Sequence, residues 1–582
     1  MSDTAVPVSR DEPLTHKQIV TILIGLMMGM FLAALDQTIV ASAMRVIADH
    51  LQGLSAQAWV TTAYLITSTI ATPLYGKLSD IYGRKQFFIA AITIFTIGSM
   101  LCTLAWSIPS LAAFRAVQGI GAGGLFSLAL AIIGDIVPPR ERAKYQGYFL
   151  AVFGSSSVLG PVIGGFFAGA DKILGIDGWR WVFLVNVPIA VAALFVVTRT
   201  LHLHHHRLDH RIDWWGAVAL TVAVVPLLIV AEQGREWGWT SSTALICYAI
   251  GLVGFVAGLF IERSMGEEAL IPLRLFTNRT VAWASIGSIF IGMGMFGGLA
   301  ALPLYLQIVK GATATQAGLQ LLPMTLGIMF GSILSGQLIS RTGRYRRYPI
   351  MGAALLVVSL FAFHYVTADT PLWQSMIVMV FFGMGLGFNF QPLTLAIQNA
   401  VPLRDIGVAT SSATFTRQIG GTLGTAIFLS LLFSSAKDKI GESFRVLAPQ
   451  ADFQAALRAP VGDAAANQAF ISQMKAGSAA GDAASGFGNA LNDSSFLNLI
   501  DPRLARPFLV GFSDAMSTVF LVASVLLVFA FIASLFLPHV ELRSAASFQK
   551  ARAGGPDDGD SAAPTGAATE QADDLAPPAI GH

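Results

Sequence analysis

The segment Gly76-Lys77-Leu78-Ser79-Asp80-Ile81-Tyr82-Gly83-Arg84-Lys85 joins two long apolar runs of the chain. A second segment, Gly336-Gln337-Leu338-Ile339-Ser340-Arg341-Thr342-Gly343-Arg344, joins two further apolar runs 260 residues later (336 − 76). Gly, Leu, Gly and Arg recur at the same spacing in both. Repeated halves related about the membrane normal are a known design of membrane transporters. The repeat therefore predicts two related halves, and the alternative is two unrelated Gly-Arg turns at helix ends.

The composition excludes several classes of protein. The chain has 582 residues, of which 54% are hydrophobic and 12% are charged. Because a soluble domain carries about 25% charged residues, this chain cannot cover an ordinary globular surface. Its net charge of +2, from 36 Lys and Arg against 34 Asp and Glu, gives no bulk field that attracts polyanions. A soluble enzyme, a disordered chain and a nucleic-acid-binding protein are therefore not expected.

Long apolar runs dominate the sequence. A membrane-spanning helix needs about 20 mainly apolar residues, and fourteen such runs are present. They predict an all-α integral membrane protein with fourteen transmembrane helices. The runs lie at 19–42, 58–76, 87–106, 109–133, 146–170, 181–198, 214–232, 242–261, 281–309, 316–338, 349–366, 372–397, 411–435 and 514–537.

These runs and the repeat divide the chain into two six-helix halves with an inserted helix pair. The predicted organisation is a cytoplasmic leader at 1–18, the first half at 19–198, a linker with two inserted transmembrane helices at 199–280, the first five helices of the second half at 281–435, a long extracytoplasmic loop at 436–513, the last transmembrane helix at 514–537 and a disordered cytoplasmic tail at 538–582.

The distribution of Lys and Arg predicts the orientation. With the N-terminus inside, the inner segments carry 22 of these residues and the short outer loops carry five. Positive residues concentrate on the cytoplasmic side of membrane proteins. We therefore expect a multi-pass protein of the cell membrane, the inner or plasma membrane, with both termini in the cytoplasm.

Four segments together carry a resemblance to a known family. They are Gly76–Lys85, Arg115–Gly123 in the fourth run, Gly154 with Gly160-Pro161-Val162-Ile163-Gly164-Gly165 in the fifth run, and Leu35-Asp36-Gln37-Thr38-Ile39-Val40 in the first run. They resemble motifs A, B and C and the first-span motif of the major facilitator superfamily, in particular of its fourteen-span drug:proton antiporter family. The resemblance covers about 19–435 and 514–537. It departs from the family pattern after Val40, where Ala41 and Arg45 stand at the usual Asn and Pro positions.

The resemblance implies the major facilitator fold, in which two pseudo-symmetric six-helix halves rock around a central cavity. It also implies exchange of a small molecule for protons, with no cofactor besides the coupling ion. The sequence shows neither a phosphate-binding P-loop nor metal-ligand spacing of protease type. We therefore expect no nucleotide-driven transport, no metal site and no enzymatic activity.

Asp36 and Arg115 are ionisable residues inside predicted spans, where charged groups usually mark function or close pairing. Each lies six residues from the outer end of its span, roughly 9 Å deep at 1.5 Å per residue. Equal depth makes pairing of the two side chains possible. We predict that Asp36 carries the proton and Arg115 tunes it, as the resemblance also implies. The alternative is a static ion pair that fixes two helices.

The repeated loops predict a gate at the cytoplasmic side. Asp80 follows the end of the second span, where a carboxylate can meet the positive N-terminus of another helix. The resemblance implies that this helix is span 13, and that Arg84 adds a salt bridge to Asp135. Ser340 replaces the acid in the second copy, so the lock is one-sided. The alternative is that these are positively charged inner loops with a tight glycine turn and no gating role. The predicted gating set is Asp80, Gly83, Arg84, Asp135, Arg341 and Arg344.

The fifth run carries a stripe of glycines with one proline. The residues are Gly154, Gly160, Pro161, Gly164 and Gly165. Glycines allow close approach of another helix backbone, and the proline removes one helix hydrogen bond. We predict a close contact between the halves that blocks proton leak while allowing rocking. Ordinary small-residue packing is the alternative.

Polar residues in the spans are candidates for the cavity wall. They are Gln37, Asn389, Gln391 and Arg417. Hydrogen bonding between helices is an equal alternative for the amides, Gln398 included, and Arg417 can instead serve structure by pairing with an inner-loop acid. Glu232 lies at the outer end of the seventh run, where we expect a solvated residue rather than a second proton site.

These features predict a monomeric membrane protein that exports small lipophilic compounds, with cationic ones among the candidates, in exchange for protons. Membrane lipid is its other expected partner, and nucleic acid is not one. Two alternatives stay open. One is a proton-coupled exporter of an endogenous lipid, glycolipid or secondary metabolite. The other is a non-transporting membrane scaffold or sensor that uses 436–513 to recruit a partner.

Overall fold

The structure, a computed structural model, describes residues 16–51, 58–201, 213–479 and 499–540, together with residues 497 and 542. Most of the predicted leader and tail, and the histidine-rich run at 202–210, lie outside these ranges. Within them the chain forms eighteen α-helices. They are α1 (His16–His50), α2 (Ala58–Tyr82), α3 (Arg84–Thr103), α4 (Ile108–Ile136), α5 (Pro139–Ala168), α6 (Trp181–Leu184), α7 (Asn186–Thr200), α8 (Trp214–Trp237), α9 (Ser242–Met265), α10 (Arg279–Leu304), α11 (Ala314–Gln320), α12 (Leu322–Thr342), α13 (Arg347–His364), α14 (Leu372–Asn399), α15 (Ile406–Leu447), α16 (Ala451–Arg458), α17 (Ala464–Ala479) and α18 (Pro502–Leu535).

One small hairpin lies between α5 and α6. Strands β1 (Lys172–Ile173) and β2 (Ile176–Asp177) pair antiparallel, with Lys172 opposite Asp177 and Ile173 opposite Ile176. All longer elements of the described chain are helices, which confirms the predicted all-α class.

The fourteen apolar runs fall on α1 to α15 and α18, with the sixth and tenth runs each divided between two consecutive helices. By length and hydropathy, twelve described helical segments are suited to cross a membrane. The helices of the second and fifth runs, α2 and α5, are not among them. In α2 the reason is its seven Ser and Thr residues, which lower its hydropathy. The number of fourteen spans therefore stays a prediction.

Two groups of helices form separate hydrophobic cores. Buried side chains of α1 to α5 and α7 make up the larger core of the first half. Those of α10 to α15, joined by α16 to α18, make up the core of the second half. The inserted helices α8 and α9 pack on each other. Helix α8 meets both halves, because Val224 and Leu228 pack with Ile66 of α2 and Phe415 of α15.

The region predicted as a long loop at 436–513 contains additional helix. Helix α15 runs on to Leu447 and α18 begins at Pro502, beyond the predicted bounds of both spans. Helices α16 and α17 fold against these extensions through edge-to-face aromatic contacts, with ring centroids 4.9 to 6.0 Å apart. The rings belong to Phe444, Phe453, Phe470 and Phe508. We call residues 436–479 and 499–513 the cap.

Each of the two repeated loops has a glycine at positive φ, although the ψ angles differ, at 138° for Gly83 and 0° for Gly343. Gly83 ends the turn between α2 and α3 with φ of 112°, and Gly343 follows α12 with φ of 69°. Both lie in the left-handed region that favours glycine. We call the end of the bundle that holds these two turns the inner end, since the distribution of Lys and Arg predicts it to be cytoplasmic.

Candidate functional site

A buried carboxylate in α1 is the centre of the site. Arg115 of α4 donates from Nη1 to Asp36 Oδ2 at 2.5 Å. Two amides complete the set of donors, because Gln118 donates to Oδ1 at 2.9 Å and Asn186 of α7 donates to the same oxygen at 2.8 Å. All four side chains are at most 1% exposed. Two helices, α4 and α7, thus supply charge and hydrogen bonds to a single acid on α1.

A second layer of contacts holds the donors in place. Ser99 of α3 accepts from Gln118 at 3.2 Å and from Asn186 at 3.0 Å, and donates to the carbonyl of Phe183 at 3.0 Å. The Arg115 guanidinium lies 4.0 Å from the centroid of the Tyr64 ring, a cation–π contact. It also donates to Gln118 Oε1 at 2.7 Å, so it has a neutral acceptor beside the acid.

Asp36 and Arg115 are predicted from the sequence, but their amide partners are not. Gln118 follows Arg115 by three residues, a spacing that puts both on one helix face, and this signal was available. Asn186 and Ser99 are single polar residues in apolar runs of other helices. Only tertiary packing places them, because α7 packs against α1 and brings Asn186 to the carboxylate, and α3 packs against α4 and α7 and brings Ser99 to the amide donors.

A cavity lies between the two halves. Its empty space, part of it continuous with solvent, is about 1080 Å³. Of the four predicted cavity residues, Gln37, Gln391 and Arg417 line it. The lining is Met30, Gln37, Tyr64, Ser68, Ala122, Phe126, Leu130 and Phe149 from the first half, and Met295, Phe296, Leu299, Ile328, Leu386, Phe390, Gln391, Thr414, Arg417 and Gln418 from the second.

Asn389 does not line the cavity. Its amide is buried and donates to the Gly385 carbonyl at 2.8 Å within α14. A Cβ at Gly352 of α13 would overlap the same amide, so Asn389 sits in a helix contact. The difference of two residues from Gln391 turns the side chain by more than half a turn of the helix. Asn389 therefore belongs to helix packing, and Gln391 to the cavity.

Arg417 enters the cavity wall from α15. It is 6% exposed, and its guanidinium lies 3.8 Å from the centroid of the Phe390 ring. Among the described residues it forms no ion pair with a carboxylate. The prediction that it pairs with an inner-loop acid therefore has no support in the described chain. For Glu232, the backbone lies in α8 and the side chain lies outside what the structure describes.

At the inner end an acid of the first half meets a helix of the second. Asp80 accepts a hydrogen bond from the Val408 backbone N–H at 3.0 Å, in the first turn of α15. Arg84 pairs with Asp80 and, at 2.7 Å, with Asp135 of α4. A Cβ at Gly407 would overlap both Asp80 and Arg84. The glycine therefore makes room for the acid at the helix terminus.

The second copy of the loop makes different contacts. Ser340 donates to the Gln337 carbonyl inside its own helix at 2.8 Å. Arg341 and Arg344 are exposed and form no ion pair within the described chain. The neighbouring Arg346 instead donates to the Leu535 carbonyl of α18 at 2.7 Å. The structure thus does not bring Arg341 and Arg344 to the contact between the halves.

A further link between the halves at the inner end was missed from sequence. Arg142 of α5 donates to Gln398 of α14 at 2.8 Å, and also to the Gly134 carbonyl at 2.5 Å. Gln398 in turn donates to the Leu130 carbonyl at 3.1 Å. From sequence, Arg142 is one of the 22 inner positive residues, with no partner predicted for it, and Gln398 is a candidate for the cavity or, equally, for hydrogen bonding between helices. The structure places both between the halves.

The glycine stripe of α5 serves two neighbours. A Cβ at Gly160 would overlap Thr38, and one at Gly164 would overlap Ser42, both on α1 of the same half. Thr38 also donates to the Ser156 carbonyl of α5 at 2.9 Å. The close approach at Gly160 and Gly164 is therefore within the first half, where the sequence predicted a contact between halves.

Only part of the stripe reaches the second half. A Cβ at Gly154 would lie 2.5 Å from Thr325 Cγ2 of α12, and Pro161 lies next to Gly318 of α11. Gly165 is exposed. The stripe's own contact with the second half therefore rests on Gly154 and Pro161.

Comparisons with known proteins agree with this architecture. The profile of the Major Facilitator Superfamily matches residues 26–425. Multidrug resistance protein 3 of Bacillus subtilis (strain 168) is 36% identical over 479 residues, 78% of this chain and 90% of that protein. Multidrug transporter protein MdtP of the same bacterium is 36% identical over 406 residues, 69% of this chain and 74% of that protein.

A solved structure shares the fold at low sequence identity. The MFS proton:xylose symporter XylE bound to 6-bromo-6-deoxy-D-glucose superposes with a TM-score of 0.55 at 15% identity, over 93% of this chain and 99% of that one. Two related halves, a cavity between them and a profile match over most of the chain lead to one conclusion. The chain belongs to the major facilitator superfamily.

Proposed function

We propose that this protein exports small lipophilic compounds in exchange for protons, as a member of the fourteen-span drug:proton antiporter family. The observation that carries the proposal is the Asp36 carboxylate, which is buried in an ion pair with Arg115. Asp36 directly precedes Gln37 in sequence, and Gln37 lines the cavity. The relatives named as multidrug resistance and multidrug transporter proteins support drugs as the substrate class.

Three consecutive residues of α1 connect the parts of the mechanism. Asp36 is the proton site, Gln37 lines the cavity, and Thr38 bonds α5. When Asp36 binds a proton, its ion pair with Arg115 is lost, and Arg115 keeps the Gln118 acceptor and the Tyr64 ring. Protonation of Asp36 thereby affects the cavity wall through Gln37 and helix α5 through Thr38. The Arg115 guanidinium keeps its other contacts throughout.

The inner-end contacts determine which end of the cavity is open at rest. Asp80 on α15, together with the link between Arg142 and Gln398, holds the halves together at the inner end. A carboxylate at a helix N-terminus contributes about 0.3–1 kcal/mol, and up to about 2 kcal/mol when partly buried. In this proposal the contacts favour the outward-open state, and their release lets the halves rock. Gly154 and Pro161 restrict proton leak between the halves.

The setting of the protein follows from the same proposal. We place it in the cell membrane, with the inner end and both termini in the cytoplasm, working as a monomer surrounded by lipid. It needs no cofactor, since the proton is the coupling ion. Asp36 suffices for one proton per cycle, so Glu232 and the loop acids are not required. The cap at the outer end is then a cover of α15 and α18 rather than a recruiting segment.

The Asp36→Asn variant tests the function. Purified protein in proteoliposomes under an imposed pH gradient is assayed for ethidium movement, while a trapped pH dye reports proton flux. We expect Asp36→Asn to lose substrate-driven proton flux by at least about tenfold, because the amide cannot exchange a proton. Asp369→Asn, which removes an exposed acid, is the matched control and should transport like the parent. Full ethidium-dependent proton flux in folded Asp36→Asn would refute the proposal.

The same assay separates the two remaining functions. An exporter of an endogenous lipid would couple protons to lipid movement but not to dye, and a lipid and dye panel in the same vesicles distinguishes these. A scaffold that uses the cap would move no substrate at all. Deleting residues 451–479 of the cap should leave transport in place if the protein is an exporter.

A further inference from the structure

Arg417 is the one charged side chain in the described lining of the cavity, and no acid accompanies it there. Its guanidinium is buried on the Phe390 ring and has no carboxylate partner in the described chain. Charged side chains inside a membrane protein normally pair with an opposite charge or face a polar path. The Arg417 guanidinium is therefore a site in the cavity wall where a negatively charged group would bind favourably.

Two neutral donors in the same wall also lack partners. Both amide atoms of Gln391 and the hydroxyl of Tyr64 are buried without a hydrogen bond in the structure, and both residues line the cavity. Buried polar groups in a native protein are satisfied in the great majority of cases. A ligand with several acceptor oxygens would satisfy the guanidinium, the Gln391 Nε2 donor and the Tyr64 hydroxyl, whereas a hydrocarbon or a cation would satisfy none of these donors. The Gln391 Oε1 is an acceptor and would need a donor instead.

Most of the remaining wall is apolar, with Gln37, Ser68, Thr414 and Gln418 as its other polar members. Met295 and Phe296 from the second half are examples of its apolar residues, and soft side chains of this kind accept ligands of varied shape. We propose that the cavity binds lipophilic organic anions, with the acidic group on Arg417 and the apolar body against this surface, an inference that rests on the proposed export function. The Asp36 carboxylate does not oppose this, because Arg115 pairs with it.

The charge of the substrate determines the charge moved in each cycle. If one proton enters for each molecule exported, a monocation gives no net charge movement and a neutral molecule gives one inward positive charge. A monoanion gives two, because the entering proton and the leaving anion add. A membrane potential that is negative inside therefore drives anion export most strongly, which provides a readout independent of binding.

A pair of dyes tests the binding step. The probes are 8-anilino-1-naphthalenesulfonate, a monoanion, and N-phenyl-1-naphthylamine, the same ring system without the sulfonate. Affinity is measured by equilibrium dialysis against full-length protein in phosphatidylcholine nanodiscs, with empty nanodiscs subtracted. We expect the anion to bind at least about tenfold more tightly than the neutral dye, since hydrogen bonds to charged groups are the stronger ones. Equal affinity, preference for the neutral dye or no binding of the anion would overturn the inference.

Substitution of the arginine assigns the effect. Arg417→Gln should lose about tenfold or more in affinity for the sulfonate dye and change less than about twofold for the neutral dye. Arg417→Lys keeps the charge and should retain part of the preference. Arg445→Gln, the same change at an exposed position of α15, is the matched control. If Arg417→Gln does not fold, the lysine variant and the dye ratio of the parent still decide the outcome.

The acidic group can come from a free organic acid or from an anionic lipid headgroup. Repeating the dialysis with phosphatidylglycerol in the nanodiscs distinguishes the two. Weaker sulfonate binding assigns the site to the headgroup, and unchanged binding assigns it to free acids, and either result supports pairing of an anion with Arg417.

Charge movement separates this inference from the proposed function. In proteoliposomes, the current per transported sulfonate should be about twice that per neutral dye. Proton-coupled transport with equal currents would keep the export function and reject the anion. Absence of proton-coupled transport for every dye, with selective sulfonate binding retained, would reject export and leave the anion site in place.

Discussion

Arg115 and Arg417 occupy comparable surroundings in opposite halves and differ in their polar partners, which for Arg115 are the Asp36 carboxylate and the Gln118 amide oxygen. Each is buried, and each guanidinium stacks on an aromatic ring, at 4.0 Å on Tyr64 and at 3.8 Å on Phe390. Arg115 has the fixed carboxylate of Asp36, whereas Arg417 has no acid among the described residues. The aromatic contact is therefore common to both, and the polar partners, above all the counter-charge, separate them.

The difference shows two ways of keeping a cation inside a membrane protein. A fixed acid neutralises Arg115 permanently, so that the state of the pair changes only when the acid binds a proton. Arg417 has no fixed acid, so its charge is neutralised only when a negatively charged group enters the cavity. Removing one member of a buried ion pair leaves an uncompensated charge and is strongly destabilising. The free energy of unfolding should therefore respond much more strongly to replacement of Arg115 by glutamine than to the same replacement of Arg417.

The largest expected effect comes from breaking the first pair on one side. Arg115→Gln leaves the Asp36 carboxylate buried without its counter-charge, so we expect a loss of about 3–5 kcal/mol in the free energy of unfolding. The double variant Asp36→Asn/Arg115→Gln removes both charges and should recover most of this loss. Denaturant titration of the purified proteins in detergent measures the free energy of unfolding of the parent, of Arg115→Gln and of the double variant.

The second arginine provides the contrast. Arg417→Gln leaves no acid exposed to an apolar interior, and we expect a change of about 1 kcal/mol or less in the same assay, without ligand. Equal losses for Arg115→Gln and Arg417→Gln would show that ring stacking, and not the fixed acid, governs the stability of both sites.

A smaller effect is expected where the two repeated loops differ. Asp80 contacts the first turn of α15, but Ser340 at the equivalent position bonds only within its own helix. Asp80→Asn should shift the equilibrium towards inner-end opening by about 1–2 kcal/mol, because the charge at the helix terminus and the pairing with Arg84 are both lost. Spin labels across the inner end report the distances, and a larger inner-open population is expected.

Ser340→Ala is the matched control for that experiment. Its lost hydrogen bond lies inside α12, so the distance distribution across the inner end should stay that of the parent. A similar shift in both variants would mean that the loops act alike and that the lock is not one-sided.

Sequence reasoning anticipated the first arginine site better than the second. Counting residues from the predicted span ends put Asp36 and Arg115 at equal depth, and depth along straight helices is set by the fixed rise per residue. The resemblance supplied the contact of Asp80 with α15. For Arg417 the sequence left cavity and ion pair open, since a single span gives depth but not which face of the helix meets the other half.

The parts that were missed depend on three-dimensional neighbours. Asn186 reaches Asp36 only because α7 packs against α1, and Arg142 reaches Gln398 only because the halves close at the inner end. The helical cap was missed for a different reason. Its stretches are too polar to stand out in hydropathy, and edge-to-face contacts among phenylalanines far apart in sequence hold them.

The smallest expected effect concerns an ion pair outside the membrane-spanning region, Asp501 with Arg503 at the start of α18. The hydrogen bonds from Arg503, then that from the Val461 N–H, lower the pKa of Asp501 to about 2. A carboxyl whose pKa is lower in the folded state stabilises above its unfolded pKa of about 3.9, and this contribution disappears as pH falls towards 2. Since Arg503 is 39% exposed, solvent screening reduces it to about 1 kcal/mol.

The Asp501→Asn variant isolates that charge, because asparagine caps a helix as well as aspartate does. We expect its unfolding free energy to lie about 1 kcal/mol below that of the parent at pH 5, and the gap to close between pH 4 and pH 2. Asp36→Asn/Arg115→Gln is the informative comparison, because the pair that it removes is buried and therefore little screened by solvent. If the difference in free energy of unfolding between Asp501→Asn and the parent stays constant down to pH 2, the lost stability comes from the shape of the side chain and not from its charge. The stability lost on changing Asp36 would then also need a test of whether side-chain shape, and not charge, causes it.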